Sequence, residues 1–127
     1  MRKFSLVFLL FAILLLSACA GSQDTPVTTA PATIALVTNP NPAKVGDVEL
    51  RFTVTDSRGQ PVAGADFDVF ADHIDMTGMT MHGKAIEQSN GVYSITANFS
   101  MAGNWKLSVG VKTESLEHKQ DLELKVQ

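Results

Sequence analysis

Apolar side chains alternate with polar ones at every second position through most of the chain after residue 33, and no segment there carries a helical period. In the clearest example, Val48, Leu50, Phe52 and Val54 are separated by charged or threonine residues. A strand with this alternation has one face against a core and one face in water. The pattern predicts an all-β domain.

Turn sequences separate the predicted strands. Glycine and proline mark a turn at 56–61, and Asn90-Gly91 is a strong hairpin signal because both residues accept positive φ. Trp105 is predicted to anchor the core, with its indole N–H needing one partner. About seven short strands at regular spacing favour an immunoglobulin-like β-sandwich. The predicted strands are 33–37, 48–55, 65–72, 84–88, 92–100, 105–111 and 116–126.

The N-terminus has the features of a secretory signal. Two basic residues precede an apolar run from Phe4 to Leu16, which is shorter than the ~20 residues of a membrane-spanning helix. Residues 16–19 (Leu-Ser-Ala-Cys) resemble the bacterial lipobox, whose cysteine is acylated and becomes the mature N-terminus. Acyl chains on Cys19 would hold the protein on a membrane surface. The alternative is a stray cysteine in an ordinary signal peptide.

The sequence therefore predicts a signal peptide at 1–18, a lipidated flexible tether at 19–33 and one domain at 34–127. The expected location is extracytoplasmic, such as the periplasm. Ala20 gives no aspartate-type retention signal, which favours the outer membrane in a Gram-negative cell. Cys19 is the only cysteine, so the domain has no disulfide and no thiolate ligand. The formal net charge is −3 with both signs interspersed, which argues against a nucleic-acid partner.

Thioether side chains are concentrated in one segment. Met1 is the initiator among five methionines, and three of the others, Met76, Met79 and Met81, lie within residues 72–84. This segment has too little apolar bulk for a core strand, and it also contains two histidines. Copper(I) is a soft cation for which thioether sulfur and imidazole nitrogen are suitable ligands. The composition thus indicates a soft-metal site.

The predicted strand phases place two further candidates beside this segment. His73 continues the inward phase of the strand at 65–72, and Met101 continues that of the strand at 92–100. If both strands end at the same rim of the sandwich, His73 and Met101 meet there and the loop lies across them. The candidate Cu(I) ligands are Met76, Met79, Met81, His82, Met101 and His73.

A second interpretation needs no metal. Methionine is a flexible gap filler, so Met76, Met79 and Met81 would equally suit a hydrophobic lid over the open end of a sandwich, or an adaptable protein-binding surface. A solvated His82 in a loop is ordinary. His118 has no other ligand type near it in sequence and is interpreted as structural.

Neither calcium binding nor catalysis has much support. The aspartates at 66, 68, 72 and 75 lack the glycine and terminal glutamate of an EF-hand, so a solvated acidic face is the favoured interpretation. The chain has no nucleophile beside a base, no glycine-rich phosphate loop and no HExxH motif. Two histidines near the loop are fewer than a redox copper enzyme would need. The expectation is a binding protein, not an enzyme.

Three motifs together resemble the YtkA-like domain family, which is related to FixH-type proteins. They are Met76–Gly83 ("MTGMTMHG"), Gly91–Tyr93 ("GVY") and Phe99–Val109 ("FSMAGNWKLSV"), and the similarity spans Pro42 to Val111. Members are small extracytoplasmic immunoglobulin-like domains associated with copper handling and with assembly of haem-copper oxidases. Asp75 departs from the family pattern, because members often have proline just before the first loop methionine.

The resemblance implies a copper chaperone or carrier. The family's methionine-rich loop falls on Met76, Met79, Met81 and His82, and its strand-end methionine falls on Met101. Together with the predicted lipid anchor, this leads to the hypothesis of a membrane-attached protein that holds Cu(I) and delivers it to a copper-receiving protein. The competing hypothesis is a metal-free immunoglobulin-like interaction module with a methionine-rich lid.

Overall fold

A computed structural model describes residues 32–127 of the chain. The predicted signal peptide at 1–18, the lipidation site Cys19 and nearly all of the predicted tether lie outside the described residues. Within residues 32–127, no helix is long and apolar enough to cross a membrane.

The described residues form two antiparallel four-stranded sheets that face each other, which confirms the predicted immunoglobulin-like sandwich. The first sheet has the order β1-β2-β6-β5 and the second the order β4-β3-β7-β8. The strands are β1 (Thr33–Asn39), β2 (Gly46–Thr55), β3 (Asp66–His73), β4 (Thr80–Lys84), β5 (Ile86–Ser89), β6 (Val92–Phe99), β7 (Gly103–Lys112) and β8 (Glu117–Val126).

The core lies where the inward phases of the two sheets meet. The four apolar residues of β2 that alternate with polar ones are fully buried; they are Val48, Leu50, Phe52 and Val54. In the middle of β7, Leu107 and Val109 are buried in the same way. Phe67 joins the sheets, because its ring lies 4.9 Å from that of Phe52 and 5.2 Å from that of Tyr93. Side chains stacked in this way exclude water from the space between the sheets, and burial of apolar area is the main force that holds such a fold together.

Tyr93 also fixes the loop between β2 and β3. Its hydroxyl donates to the carbonyl of Val62 at 2.7 Å and accepts from the amide of Ala65 at 3.0 Å. Burial raises the pKa of the Tyr93 phenol. The neutral phenol therefore joins the loop between β2 and β3 to the edge of an otherwise apolar core through two hydrogen bonds.

Residues 32–127 form eight strands, whereas the sequence predicted about seven. The segment predicted as one strand at 84–88 divides at Ala85, whose amide donates to the carbonyl of Phe67 at 2.9 Å. Before this point β4 pairs with β3 in the second sheet, and after it β5 pairs with β6 in the first. Part of the segment expected to be a loop, Thr80–Lys84, is therefore an edge strand. The alternation of residues does not reveal a change of sheet.

The predicted hairpin at Asn90-Gly91 connects β5 to β6. Of these two residues only Gly91 has a positive φ (77°), and no residue other than glycine has one in the described part of the chain. The turn therefore uses one of the two residues that tolerate such a conformation. A side chain at Gly91 would also clash with Pro61, whose Cβ lies 2.7 Å from the position of an added Cβ.

Candidate metal site

Two segments meet at one end of the sandwich and form what we call the methionine rim, defined as residues 74–79 and 100–102. The amide of His73 donates to the carbonyl of Met79 at 3.0 Å, and that of Ile74 donates to Asn104 at 2.9 Å. The indole N–H of Trp105 donates to the carbonyl of Met101 at 3.2 Å, which supplies the partner that its burial requires. The ends of β3 and β6 therefore converge at one rim.

His73 binds these two segments together from inside. Its side chain is 5% exposed, and its ring packs edge-on against that of Trp105 with 4.9 Å between centroids. The amide of Asp75 donates to Nδ1 at 3.2 Å, so Nδ1 is the acceptor and Nε2 carries the hydrogen that it donates to the carbonyl of Ala102, also at 3.2 Å. Both ring nitrogens are thus engaged, and His73 could bind a metal only by losing one of these hydrogen bonds.

Gly103 makes this arrangement possible. A Cβ added at this position would lie 2.6 Å from Nε2 of His73, closer than any real contact allows, and its φ of 135° is one that only glycine adopts readily. The predicted strands at 92–100 and 105–111 leave a short connection between them, but the sequence gave no sign that this connection needs a glycine against a histidine. That requirement arises from a contact between residues far apart in sequence.

Three methionines belong to the methionine rim, and a fourth, Met81, lies beside it in β4. Met81 lies opposite buried Ala71 in the pairing of β4 with β3, so it points toward the space between the sheets, and Met79 lies two residues earlier in the same phase. Both are partly buried and pack against the core. Met76 and Met101 are more open, at 43% and 37% exposure. The thioethers thus include an inner pair beside the core and an outer pair in contact with water.

Met81 also lines a half-open cavity of about 200 Å³ between the two sheets. The cavity lies where β4 approaches β6, and its walls include Val69, Ala71, Ile95 and Ala97. Its lining is largely apolar and contains no second thioether. With one thioether in its lining, the cavity does not form a metal site by itself.

His82 is not brought together with the inner methionines. It pairs with Phe70, which points outward, and its Nε2 lies 3.5 Å from Oδ1 of Asp68 on the outer face of the second sheet. Its ring centroid is 6.4 Å from that of Phe70. Because adjacent residues of a strand point to opposite faces, Met81 and His82 face opposite sides of the sheet.

The acidic residues of β3 do not form a metal site either. Nζ of Lys84 donates a hydrogen bond to Oδ1 of Asp66 at 2.6 Å and lies 3.7 Å from Oδ1 of Asp68. The bond to Asp66 raises the pKa of Lys84. Within residues 32–127, no group of three or more histidine, cysteine, aspartate or glutamate side chains is arranged to hold a metal ion. His118 contacts Gln120, with its Nε2 3.4 Å from Oε1. Thioethers are thus the soft donors that the rim offers.

A family model described as YtkA-like matches residues 27–110, about two-thirds of the chain. The chain belongs to the YtkA-like family. The match covers the methionine rim, the first six strands and most of β7. A comparison with curated protein sequences found no match.

Solved structures share the fold of this YtkA-like domain at low sequence identity. A copper-bound variant of FetP from uropathogenic Escherichia coli strain F11 has a TM-score of 0.52 at 16% identity, and covers 74% of this chain and 88% of its own. The soluble domain of PmoD from Methylocystis sp. has a TM-score of 0.51 at 14% identity, with coverage of 76% and 90%. The Lin-41 filamin domain has a TM-score of 0.51 at 12% identity, with coverage of 74% and 91%. These similarities establish the sandwich architecture.

Proposed function

We propose that this chain is an extracytoplasmic copper-binding protein that holds Cu(I) through thioethers at the methionine rim and passes it to a copper-receiving protein. The observation that carries the proposal is the placement of four methionines from two separate parts of the chain at or beside one end of the sandwich. Copper in the FetP structure supports the choice of metal, as does the copper handling that the resemblance to the YtkA-like family implies. The role is binding rather than catalysis, in copper homeostasis or haem-copper oxidase assembly.

The proposed ligands are Met76, Met79 and Met101. Met81, which packs against the core, is an additional candidate ligand. Met76 and Met79 lie on the loop that follows His73, and the carbonyl of Met79 accepts from the His73 amide. Met101 lies on the turn before β7, where the carbonyl of the next residue, Ala102, is hydrogen-bonded to the His73 ring. A neutral thioether does not need to lose a proton before binding and suits a soft monovalent cation. His73 would then act by positioning the two segments rather than as a ligand.

The exposure of Met76 and Met101 fits a carrier. A site that must release its metal needs at least part of the coordination shell to be reachable by the receiving protein. Met79 packs against the core and would hold the ion in place. The exposed thioethers of Met76 and Met101 would meanwhile be replaced by ligands of the receiving protein. This division also explains why the rim contains several methionines and not one.

The proposed attachment to the membrane is a lipid on Cys19. In the structure β1 begins at Thr33, which pairs with Thr55 at the end of the sandwich remote from the rim. A chain anchored through its N-terminus would therefore present the methionine rim on the side away from its point of attachment. A rim at the end of the domain opposite the tether is accessible to a partner in the extracytoplasmic space.

Titration with Cu(I) against a competing chelator tests the proposal. We expect one Cu(I) per chain, and a large loss of affinity in Met79→Leu and Met101→Leu, because leucine keeps the apolar volume and removes the sulfur. His82→Gln is the matched control and should bind as the original chain does, since His82 faces the opposite side of the sheet. Unchanged binding in both leucine variants, or binding no tighter than that of an unrelated sandwich, would exclude the thioether site.

A second function is favoured by the exposed apolar side chains at the same place. Ile74 is 53% exposed beside Met76 and Met101, so the rim presents a small apolar surface of the kind that binds proteins. In a metal-free interaction module the leucine variants would keep their function, whereas Ile74→Asp would lose it. The two candidates therefore respond to different substitutions.

A further inference from the structure

The last strand, β8, lies at one side of the second sheet and presents a long backbone edge. It pairs with β7 over ten residues without a register shift. Backbone hydrogen bonds beyond its two ends show which residues point outward. The carbonyl of Leu116 accepts from Thr113 on the β7 side at 2.7 Å, whereas Gln127 bonds on the other side to Ala43 and Val45, both at 2.9 Å.

Backbone groups of successive residues in a strand point to opposite sides. Since the even-numbered Leu116 bonds toward β7 and the odd-numbered Gln127 bonds away from it, the odd-numbered residues from Glu117 to Lys125 point their N–H and C=O groups away from the sheet. Among residues 32–127, the backbone bonds that reach this edge are those at Gln127. An edge of this kind is a template for another strand.

The same residues carry an alternating charge pattern on the outer face of the sheet. All five odd-numbered side chains of β8 are exposed, and in order they are Glu117, Lys119, Asp121, Glu123 and Lys125. If a second copy of β8 lies antiparallel with Asp121 opposite Asp121, then Lys119 faces Glu123 of the other copy and Glu117 faces Lys125. Four ion pairs related by a two-fold axis then line the junction.

Other registers lack this complementarity. A shift of two residues in one direction places Glu117 opposite Glu123, and a shift in the other direction places Lys119 opposite Lys125. Parallel in-register pairing would place each charge beside its like. In the complementary register the central aspartates are the unfavourable contact, and each already accepts a hydrogen bond from its own Ser108 at 2.7 Å.

We propose that two copies of this chain pair through β8 and join their second sheets into one continuous sheet. The odd-numbered residues then form the hydrogen-bonded pairs of the new antiparallel ladder, which is where their outward N–H and C=O groups are needed. A junction of one strand pair is small, so the dimer should be weak and concentration-dependent. The two-fold axis places the two methionine rims at opposite ends, so dimerisation does not require metal.

Charge reversal tests the register. The full chain in mild detergent with a metal chelator is followed by sedimentation over a range of concentrations. Lys119→Glu and Glu123→Lys should each weaken the dimer by on the order of tenfold, because two attractions become repulsions. The double variant should restore it, since the two exchanged charges again face each other with opposite signs. Arg58→Glu, the same charge change on the exposed turn at 56–61, should have no effect, and thermal unfolding of each variant shows whether it is folded.

Disulfide trapping gives a second, independent measurement. In a chain with Cys19→Ser, Asp121→Cys should form a symmetric disulfide-linked dimer rapidly on mild oxidation, because Cα atoms of a hydrogen-bonded antiparallel pair lie ~5.5 Å apart. Arg58→Cys, at an equally exposed position, should form one slowly. A chain that sediments as a monomer at every concentration would overturn the proposal, as would a double variant that dimerises no better than the single ones.

Discussion

Replacing Gly103 with alanine tests whether the contact between this turn and His73 holds the methionine rim together. The added methyl group would lie 2.6 Å from Nε2 of His73 and 3.0 Å from its Cε1. The imidazole has little freedom to move, because it is buried against Trp105 and hydrogen-bonded through both nitrogens. The substitution must therefore displace either the ring or the backbone of the turn.

Three costs add up in this variant. Holding alanine at a φ of 135° costs about 1–3 kcal/mol. Displacing the ring breaks the hydrogen bond from Nε2 to the Ala102 carbonyl, which contributes about 0.5–1.5 kcal/mol. Overpacking against a buried side chain costs about 1–3 kcal/mol. Because these effects share one relaxation, we expect a total loss of about 3–5 kcal/mol in the free energy of unfolding.

A loss of this size is a large part of the stability of a small domain, which is ordinarily about 5–15 kcal/mol. The midpoint of thermal unfolding should fall by about 15–30 °C. Urea unfolding monitored by Trp105 fluorescence is a suitable assay, because the indole contacts His73 directly. The slope of the transition should stay unchanged if the denatured state is the same in both proteins.

Gly110→Ala in β7 is the matched control. A Cβ at this position meets its nearest neighbour, Cγ of Lys119, at 3.9 Å, which is ordinary contact. The free energy of unfolding of the control should lie within about 1 kcal/mol of that of the original chain. Any change should be a gain in stability, because alanine is favoured over glycine in the middle of a strand. If Gly103→Ala also stays within about 1 kcal/mol of the original chain, the turn is free to move away from His73, and the proposed positioning role of that histidine is wrong.

Other expected outcomes follow from the same structure. Tyr93→Phe should lower the free energy of unfolding by about 1–3 kcal/mol in urea titrations, because Val62 and Ala65 lose their partner; an unchanged value would show that water replaces the hydroxyl. Burial raises the pKa of Tyr93, so the neutral phenol contributes fully to the free energy of unfolding below the ordinary tyrosine pKa of about 10. This contribution is lost as the pH rises through the folded-state pKa. Tyr93→Phe should therefore lack this part of the loss of stability at alkaline pH. The hydrogen bond from the backbone amide of Gln60 is the main reason that the pKa of Asp56 is lowered. Stability measured by thermal unfolding should therefore fall as acid protonates this carboxylate. Asp56→Asn should lose less stability over the same acid range. Cu(I) affinity should change little between about pH 5 and 8 if the ligands are thioethers, whereas a steep loss near pH 6.5 in chelator competition would identify a histidine ligand.

The alternation of residues was sufficient to predict the sandwich and most of its core. Val48, Leu50, Phe52 and Val54 are fully buried, as their phase required, and Phe70 in the opposite phase of its strand is exposed. The same rule extended the inward phase of β3 to His73, which is buried, and that of β6 to Met101, which lies beyond the end of the strand and is 37% exposed. The rule holds within the strands because the direction of a side chain there depends only on local geometry and on which face is buried. It does not extend to Met101, which follows the last residue of β6.

The contacts that give the rim its character were decided by tertiary structure. No local pattern shows that the nitrogens of His73 are occupied by Asp75 and Ala102, or that Gly103 must be a glycine because the ring lies against it. The change of sheet at Ala85 likewise depends on a hydrogen bond to β3. It makes Thr80–Lys84 a strand and so places Met81 and His82 on opposite faces. Such features depend on distances between residues remote in sequence, which are fixed only when the two sheets pack together.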